Sequence, residues 1–110
     1  MELKVKEGGI GRTLKHFKGT YRPLPNEVTI KQSLTDGLGL FATQEINDNH
    51  SFGITHHWIE DELIRTPLGG FVNHSDNPNC IIKEGLTIRT LHSIRKISEG
   101  EEILVQYTLY

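Results

Sequence analysis

The chain has one cysteine, Cys80, in 110 residues. A single thiol closes no internal disulfide and builds no cysteine-rich zinc site, so the fold must hold itself together by packing. Long apolar runs are also missing. The longest are a few residues, such as Ile103 to Val105, where a membrane-spanning helix needs about 20. The opening stretch MELKVKEGG lacks the apolar core of a secretion signal. These absences predict a soluble, intracellular protein without a membrane partner. Aromatic residues make up only 7% of the chain. The two in its N-terminal stretch, Phe17 and Tyr21, are too few for a base-stacking platform, so a nucleic-acid partner is disfavoured. No internal repeat is present, and the length suffices for one hydrophobic core but not for two, which predicts a single main domain.

Charge is nearly balanced overall, at -2, but unevenly placed. Residues 1–25 hold six Lys/Arg (Lys4, Lys6, Arg12, Lys15, Lys18, Arg22) against Glu2 and Glu7, and the remainder holds six against twelve. Solvated faces account for such an asymmetry, as does an acidic body that attracts a basic protein partner while a basic arm contacts an anion. The stretch PLPNEV (Pro23 to Val28) carries two prolines and marks the edge between an arm, residues 1–27, and a main domain, residues 28–110.

Within that domain, short apolar segments alternate with turn residues: EVTIKQ, TDGLG, LFATQEI, NDNH, SFGITHHWI. This is the spacing of an all-β chain. CIIK and LTIRTL flank Glu84-Gly85 and predict a hairpin. In the closing EEILVQYTLY, Ile103, Val105, Tyr107 and Leu109 share one side of a two-residue repeat, which points Tyr107 inward. One helical hint remains, in WIEDELIR, where Trp58, Ile59, Glu62 and Leu63 fall on one face.

Three features carry chemistry, and each has an ordinary alternative. Asp36-Gly37-Leu38-Gly39 is either a hairpin turn or a place where backbone approaches a ligand closely. It is no dinucleotide fingerprint, because no third glycine opens a long helix. Residues 73–79 form either a polar turn or a ligand wall, since Phe71-Val72 would deliver Asn73 and His74 to the interior, where both need partners. Tyr107 is either a core tyrosine with a satisfied hydroxyl or a catalytic one. The histidines His16, His50, His56, His57 and His92 lack the spacing or cysteine companions of a zinc site, so no metal is expected.

In order, GLGLFA (residues 37–42), GFVNHSDNPNC (70–80) and ISEGEEILVQY (97–107) resemble the successive motifs of the SET-domain protein-lysine methyltransferases. The resemblance extends from about Val28 to Tyr110. It implies a mainly β, β-clip-like fold of several small sheets with a C-terminal pseudoknot, and S-adenosylmethionine as cofactor. By the same resemblance, Gly37, Leu38, Gly39, Asn73, His74 and Tyr107 bind the cofactor, and Tyr107 is the catalytic residue. The implied partner is a lysine in a basic protein or peptide, with Trp58, His57 and Tyr110 as candidates for its channel. The alternative function is a SET-fold module that has lost catalysis and binds a peptide or nucleic acid.

The chain also departs from the family pattern. Asp76 replaces the motif cysteine and Gly70 replaces the arginine often found before the motif phenylalanine, and with the motif cysteine gone, the zinc-binding cysteine cluster that follows the domain in many relatives is not expected. The second tyrosine that many members place across the lysine channel has no clear counterpart among residues 51–72, where Phe52, His56, His57 and Trp58 are available. In relatives a C-terminal segment closes the channel. Small stand-alone proteins of viral type close it by dimerising, so the expectation here is a homodimer, located in the cytoplasm or, for a viral protein, inside a host cell.

Overall fold

The alternation of Val28 and Ile30 with polar neighbours, followed by a turn ending in Asp36-Gly37, makes a hairpin of β3 (Val28–Gln32) and β4 (Leu38–Ala42). The computed structural model describes residues 23–107. It also gives the backbone of two short antiparallel strands, β1 (Lys6–Glu7) and β2 (Gly9–Ile10). Most of the basic arm and Tyr110 lie outside the described residues.

A six-stranded mixed sheet forms the body: β5 (Ser51–Ile59), β6 (Glu62–Arg65), β7 (Asn73–His74), β8 (Cys80–Glu84), β9 (Ile88–Ser93) and β10 (Leu104–Val105). Their order is β6-β5-β9-β8-β10-β7. The architecture is mainly β in several sheets, as the turn spacing predicted. β8 and β9 form the hairpin expected around Glu84-Gly85. β9 alternates cleanly, turning Arg89, Leu91 and Ser93 inward. The core joins Leu91 to Val28, Leu40, Ile97, Ile103 and Val105, all essentially without exposure.

WIEDELIR is not helical. Trp58 pairs with Leu63 and Ile59 with Glu62 across a two-residue turn, Glu60-Asp61, with φ of 49° and 69°. Positive φ at both central residues is what a tight hairpin needs, and it is usually supplied by Asn or Gly. The helix lies just beyond, as α1 (Pro67–Phe71). Thr66 caps it by accepting from Gly69 N–H, and Pro67 opens it without losing a hydrogen bond. Thr66 also donates its hydroxyl to the Ile54 carbonyl at 2.7 Å and its N–H to the Thr55 carbonyl at 2.9 Å. Gly69 fits beneath because a Cβ there would collide with the Thr55 carbonyl oxygen.

β5 itself is irregular. Its register with β9 shifts between Ile54 and His56, which leaves Thr55 as the extra residue of a bulge. Consecutive residues Thr55 and His56 are therefore both buried.

Candidate active site

The Gly-x-Gly segment is a turn and a docking point at once. Gly37 takes φ +50°, and its carbonyl accepts the Ser33 N–H at 2.7 Å to close the hairpin. Space beside Gly37 is open, with nothing within 4 Å of where a Cβ would stand. Gly39 is the opposite case. A Cβ there would run into the Glu102 carboxylate and lie 3.0 Å from Asn73 Nδ2.

Asn73 joins the motif segments. Its amide nitrogen donates towards the carbonyls of Asp36 (3.2 Å) and Leu38 (3.1 Å) and to Glu102 Oε2 (3.0 Å). Ser33 donates its hydroxyl to the same carboxylate at 2.9 Å. The side chain that the resemblance gives to the cofactor thus spends its amide protons on bracing the glycine turn. Leu38 itself is exposed.

β10 runs parallel to both β7 and β8, with Leu104 opposite Asn73 and Val105 opposite His74 and Cys80. Asn79, 1% exposed, fixes this passage. Its amide donates to the Glu102 carbonyl at 2.8 Å, and its oxygen accepts the Leu104 N–H at 2.9 Å. A buried amide with both ends satisfied specifies a single register.

Beyond β10 the alternation stops. Ile103 and Val105 are buried as predicted, but Tyr107 is 53% exposed rather than inward. The strand has ended at Val105, so the two-residue period no longer governs the side chain. Tyr107 is held by other means. Its N–H donates to His74 Nδ1 at 2.8 Å, and its ring lies 5.1 Å from the imidazole. Its hydroxyl donates to the Val72 carbonyl at 2.7 Å. Because His74 Nδ1 accepts, the proton of the neutral ring sits on Nε2, which faces Asp76 Oδ1 at 3.1 Å.

Tyr107 also lines a cavity of about 260 Å³ together with His56, Leu63, Arg65, Gly69, Val72 and Ile82. That volume falls below the roughly 300–1,000 Å³ of pockets for drug-sized ligands and suits a single side chain. His56 is 7% exposed. Its pKa is lowered by burial first, then by the neighbouring cations Arg89 and Arg65. These arginines are its register partners on β9 and β6.

Of the other channel candidates, neither Trp58 nor His57 is a wall of this cavity. Trp58 is 38% exposed and packs its ring 5.7 Å from the Arg89 guanidinium. His57 stands opposite Ile64 and Ile88 and is not among the cavity walls. Gly70 faces open space. Among the described residues, no group of three or more His, Cys, Asp or Glu is placed to hold a metal ion. Cys80 is buried, and burial pushes its thiol pKa up to about 12. No helix among the described residues is long and apolar enough to cross a membrane.

Comparison with known proteins agrees with this geometry. The sequence model of the SET domain family matches residues 52–108, more than half of the chain. Among curated proteins the chain is similar to "Probable histone-lysine N-methyltransferase set-23" of Caenorhabditis briggsae, with 26% identity over 133 residues. That alignment covers 94% of this chain and 54% of the relative, so the chain spans about half the length of the curated protein it matches. Among solved structures it is similar to a Plasmodium falciparum protein described as a candidate histone methyltransferase. The TM-score is 0.65 and the identity 20%, over 76% of this chain and 95% of that one, a likeness of fold. With its glycine turn, Asn-His segment and C-terminal tyrosine packed together, the chain belongs to the SET-domain family.

Proposed function

We propose that the chain is a protein-lysine N-methyltransferase that uses S-adenosylmethionine and acts on a lysine in a basic protein segment. One observation carries this reading: Tyr107 faces a cavity of side-chain size while its own N–H is tied to His74, next to the residue that braces the glycine turn. The open space at Gly37, the exposed Leu38 and the half-buried Asn73-His74 pair fit a polar nucleoside lying across the three segments. Gly37, Leu38, Gly39, Asn73, His74 and Tyr107 would hold the cofactor there. When bound, S-adenosylmethionine supplies an electrophilic methyl carbon.

The protein's own tasks are then alignment and dehydration. The Tyr107 hydroxyl gives its proton to the Val72 carbonyl, so the oxygen's lone pairs accept an N–H from the substrate amine and orient it. Free lysine has a pKa of about 10.4, and only the neutral amine is nucleophilic. Walls formed by Leu63, Val72 and Ile82, with a cation at Arg65, disfavour the ammonium form.

The reading extends to four further points. β10 lying between β7 and β8 supports a threaded C-terminal segment. The exposure of Tyr107 and Leu38 supports closure of the site by a second copy of the chain, which sedimentation analysis tests. The arm and main domain divide at residue 27, where β3 begins directly after. The protein acts inside cells, which fractionation tests. Calorimetric titration with S-adenosylmethionine, paired with mass spectrometry of core histones after incubation, tests the whole. We expect cofactor heat and methyl gain on lysine, and an absence of both sinks the proposal.

A further inference from the structure

The imidazole of His56 is locked in one tautomer by its neighbour. Thr55 has a single hydroxyl proton and donates it to the Arg89 carbonyl at 3.2 Å. Its oxygen is therefore an acceptor for His56, 2.9 Å away, and the ring proton sits on Nδ1. Nε2 carries a lone pair and has no hydrogen-bond partner among the described residues. The backbone of this pair is also fixed. Thr55 is the bulged residue of β5, its carbonyl accepts from Thr66, and Gly69 packs against it.

The charged surroundings are one-sided. Arg65 on β6 and Arg89 on β9 flank His56 in register, and Glu84 on β8 bonds to Arg89 at 3.4 Å on its far side. Two guanidinium groups and burial together keep the imidazole unprotonated, hence available as an acceptor at neutral pH. Tyr107 contributes the other acceptor to the cavity, since its proton is committed to Val72. The walls hold no carboxylate. A pocket with two neutral acceptors and a cation is complementary to an amine that gives up a proton, and poorly matched to a group that must remain charged.

We propose that His56 is a catalytic residue that takes the proton of the target amine. This rests on the methyltransferase reading. In the step, one N–H bond of the ammonium breaks, its electron pair stays on the amine nitrogen, and a new N–H bond forms at His56 Nε2. Total charge is unchanged. The imidazolium, lying between Arg65 and Arg89, then releases the proton to water at the cavity mouth.

The test compares wild type, His56→Gln and Thr55→Val in methylation of core histones between pH 6.5 and 9.5. For His56→Gln we expect kcat/KM to fall on the order of 10²-fold at neutral pH, the scale of general-base catalysis. The deficit should shrink as pH rises and solvent deprotonates the amine. Thr55→Val retains the imidazole but frees its tautomer, and should show a smaller loss. A deficit that is constant across pH overturns the proposal, because it marks a residue that only shapes the wall. Should His56→Gln fail to fold, ring-nitrogen NMR of the wild type decides: Nε2 must show the signal of a bare nitrogen that moves on addition of n-butylamine. A protonated Nε2, or one indifferent to n-butylamine, overturns it. If the wild type neither binds S-adenosylmethionine nor methylates histones, the methyltransferase reading fails separately, and the ring signal alone decides whether His56 is an amine acceptor.

Discussion

Gly39 lies directly against the carboxylate of Glu102, with no room between them for a methyl group. The contact joins the glycine turn to the C-terminal segment, since Glu102 also bonds Ser33 and Asn73. Gly39→Ala must displace a carboxylate held by two partners, and overpacking of this kind costs about 1–3 kcal/mol. We expect a lower thermal midpoint and weaker S-adenosylmethionine binding. Unchanged calorimetric affinity would detach Gly39 from the cofactor site.

Asn79→Ala removes a buried amide that serves both the Glu102 carbonyl and the Leu104 N–H. Each backbone group left unpaired costs about 1–3 kcal/mol. The urea midpoint should drop, and limited proteolysis should cut the segment around β10 first. A variant as resistant as wild type would show that the passage between β7 and β8 is held by strand pairing alone.

The three motif segments were legible because each has a backbone or polarity demand of its own: positive φ at Gly37 and close packing at Gly39 in the first, a buried amide at Asn79 in the second, positive φ at Gly100 in the third. The cavity wall was not. A strict two-residue period cannot anticipate a bulge at Thr55, and it is the bulge that buries Thr55 and His56 together. Glu60-Asp61 has neither Gly nor Asn to mark its positive φ angles, so the β5–β6 hairpin reads as helical. Thr66-Pro67 did carry a helix-start signal. The helix it opens is only five residues long, too short to show a 3.6-residue apolar period.

Acid should destabilise the protein in two stages. His56 and His92 both have pKa values lowered from 6.5, chiefly by burial, so the unfolded chain binds protons that the folded one refuses. Stability is intact above pH 6.5 and falls as pH drops below it. Glu101, lowered from 4.5 mainly by its bond to Arg95, stabilises above that value and loses its share as pH falls further. Melting curves from pH 8 to 3.5 should show both declines. His56→Gln should flatten the first, and an unaltered slope would exclude His56 as its source.

With its thiol pKa pushed up to about 12, Cys80 is almost wholly unionised at pH 8, and the thiolate is the reactive form. Iodoacetamide should label the native chain far more slowly than the chain in denaturant. Rapid native labelling would mean that the start of β8 opens readily.

Tyr107 and His74 separate positioning from chemistry. Tyr107→Phe keeps the N–H bond to His74 and the ring contact, and loses the hydroxyl that bonds the Val72 carbonyl. Its stability should change by about the 0.5–1.5 kcal/mol of a single hydrogen bond, with cofactor affinity retained and turnover largely gone. His74→Ala keeps the hydroxyl but removes both the acceptor for the Tyr107 N–H and the ring beside it. The phenol then loses its anchor on one side, so turnover should fall along with cofactor binding. Equal losses of affinity in the two variants would show that the Tyr107 oxygen serves binding and not methyl transfer, because only His74→Ala disturbs the backbone that the cofactor would touch.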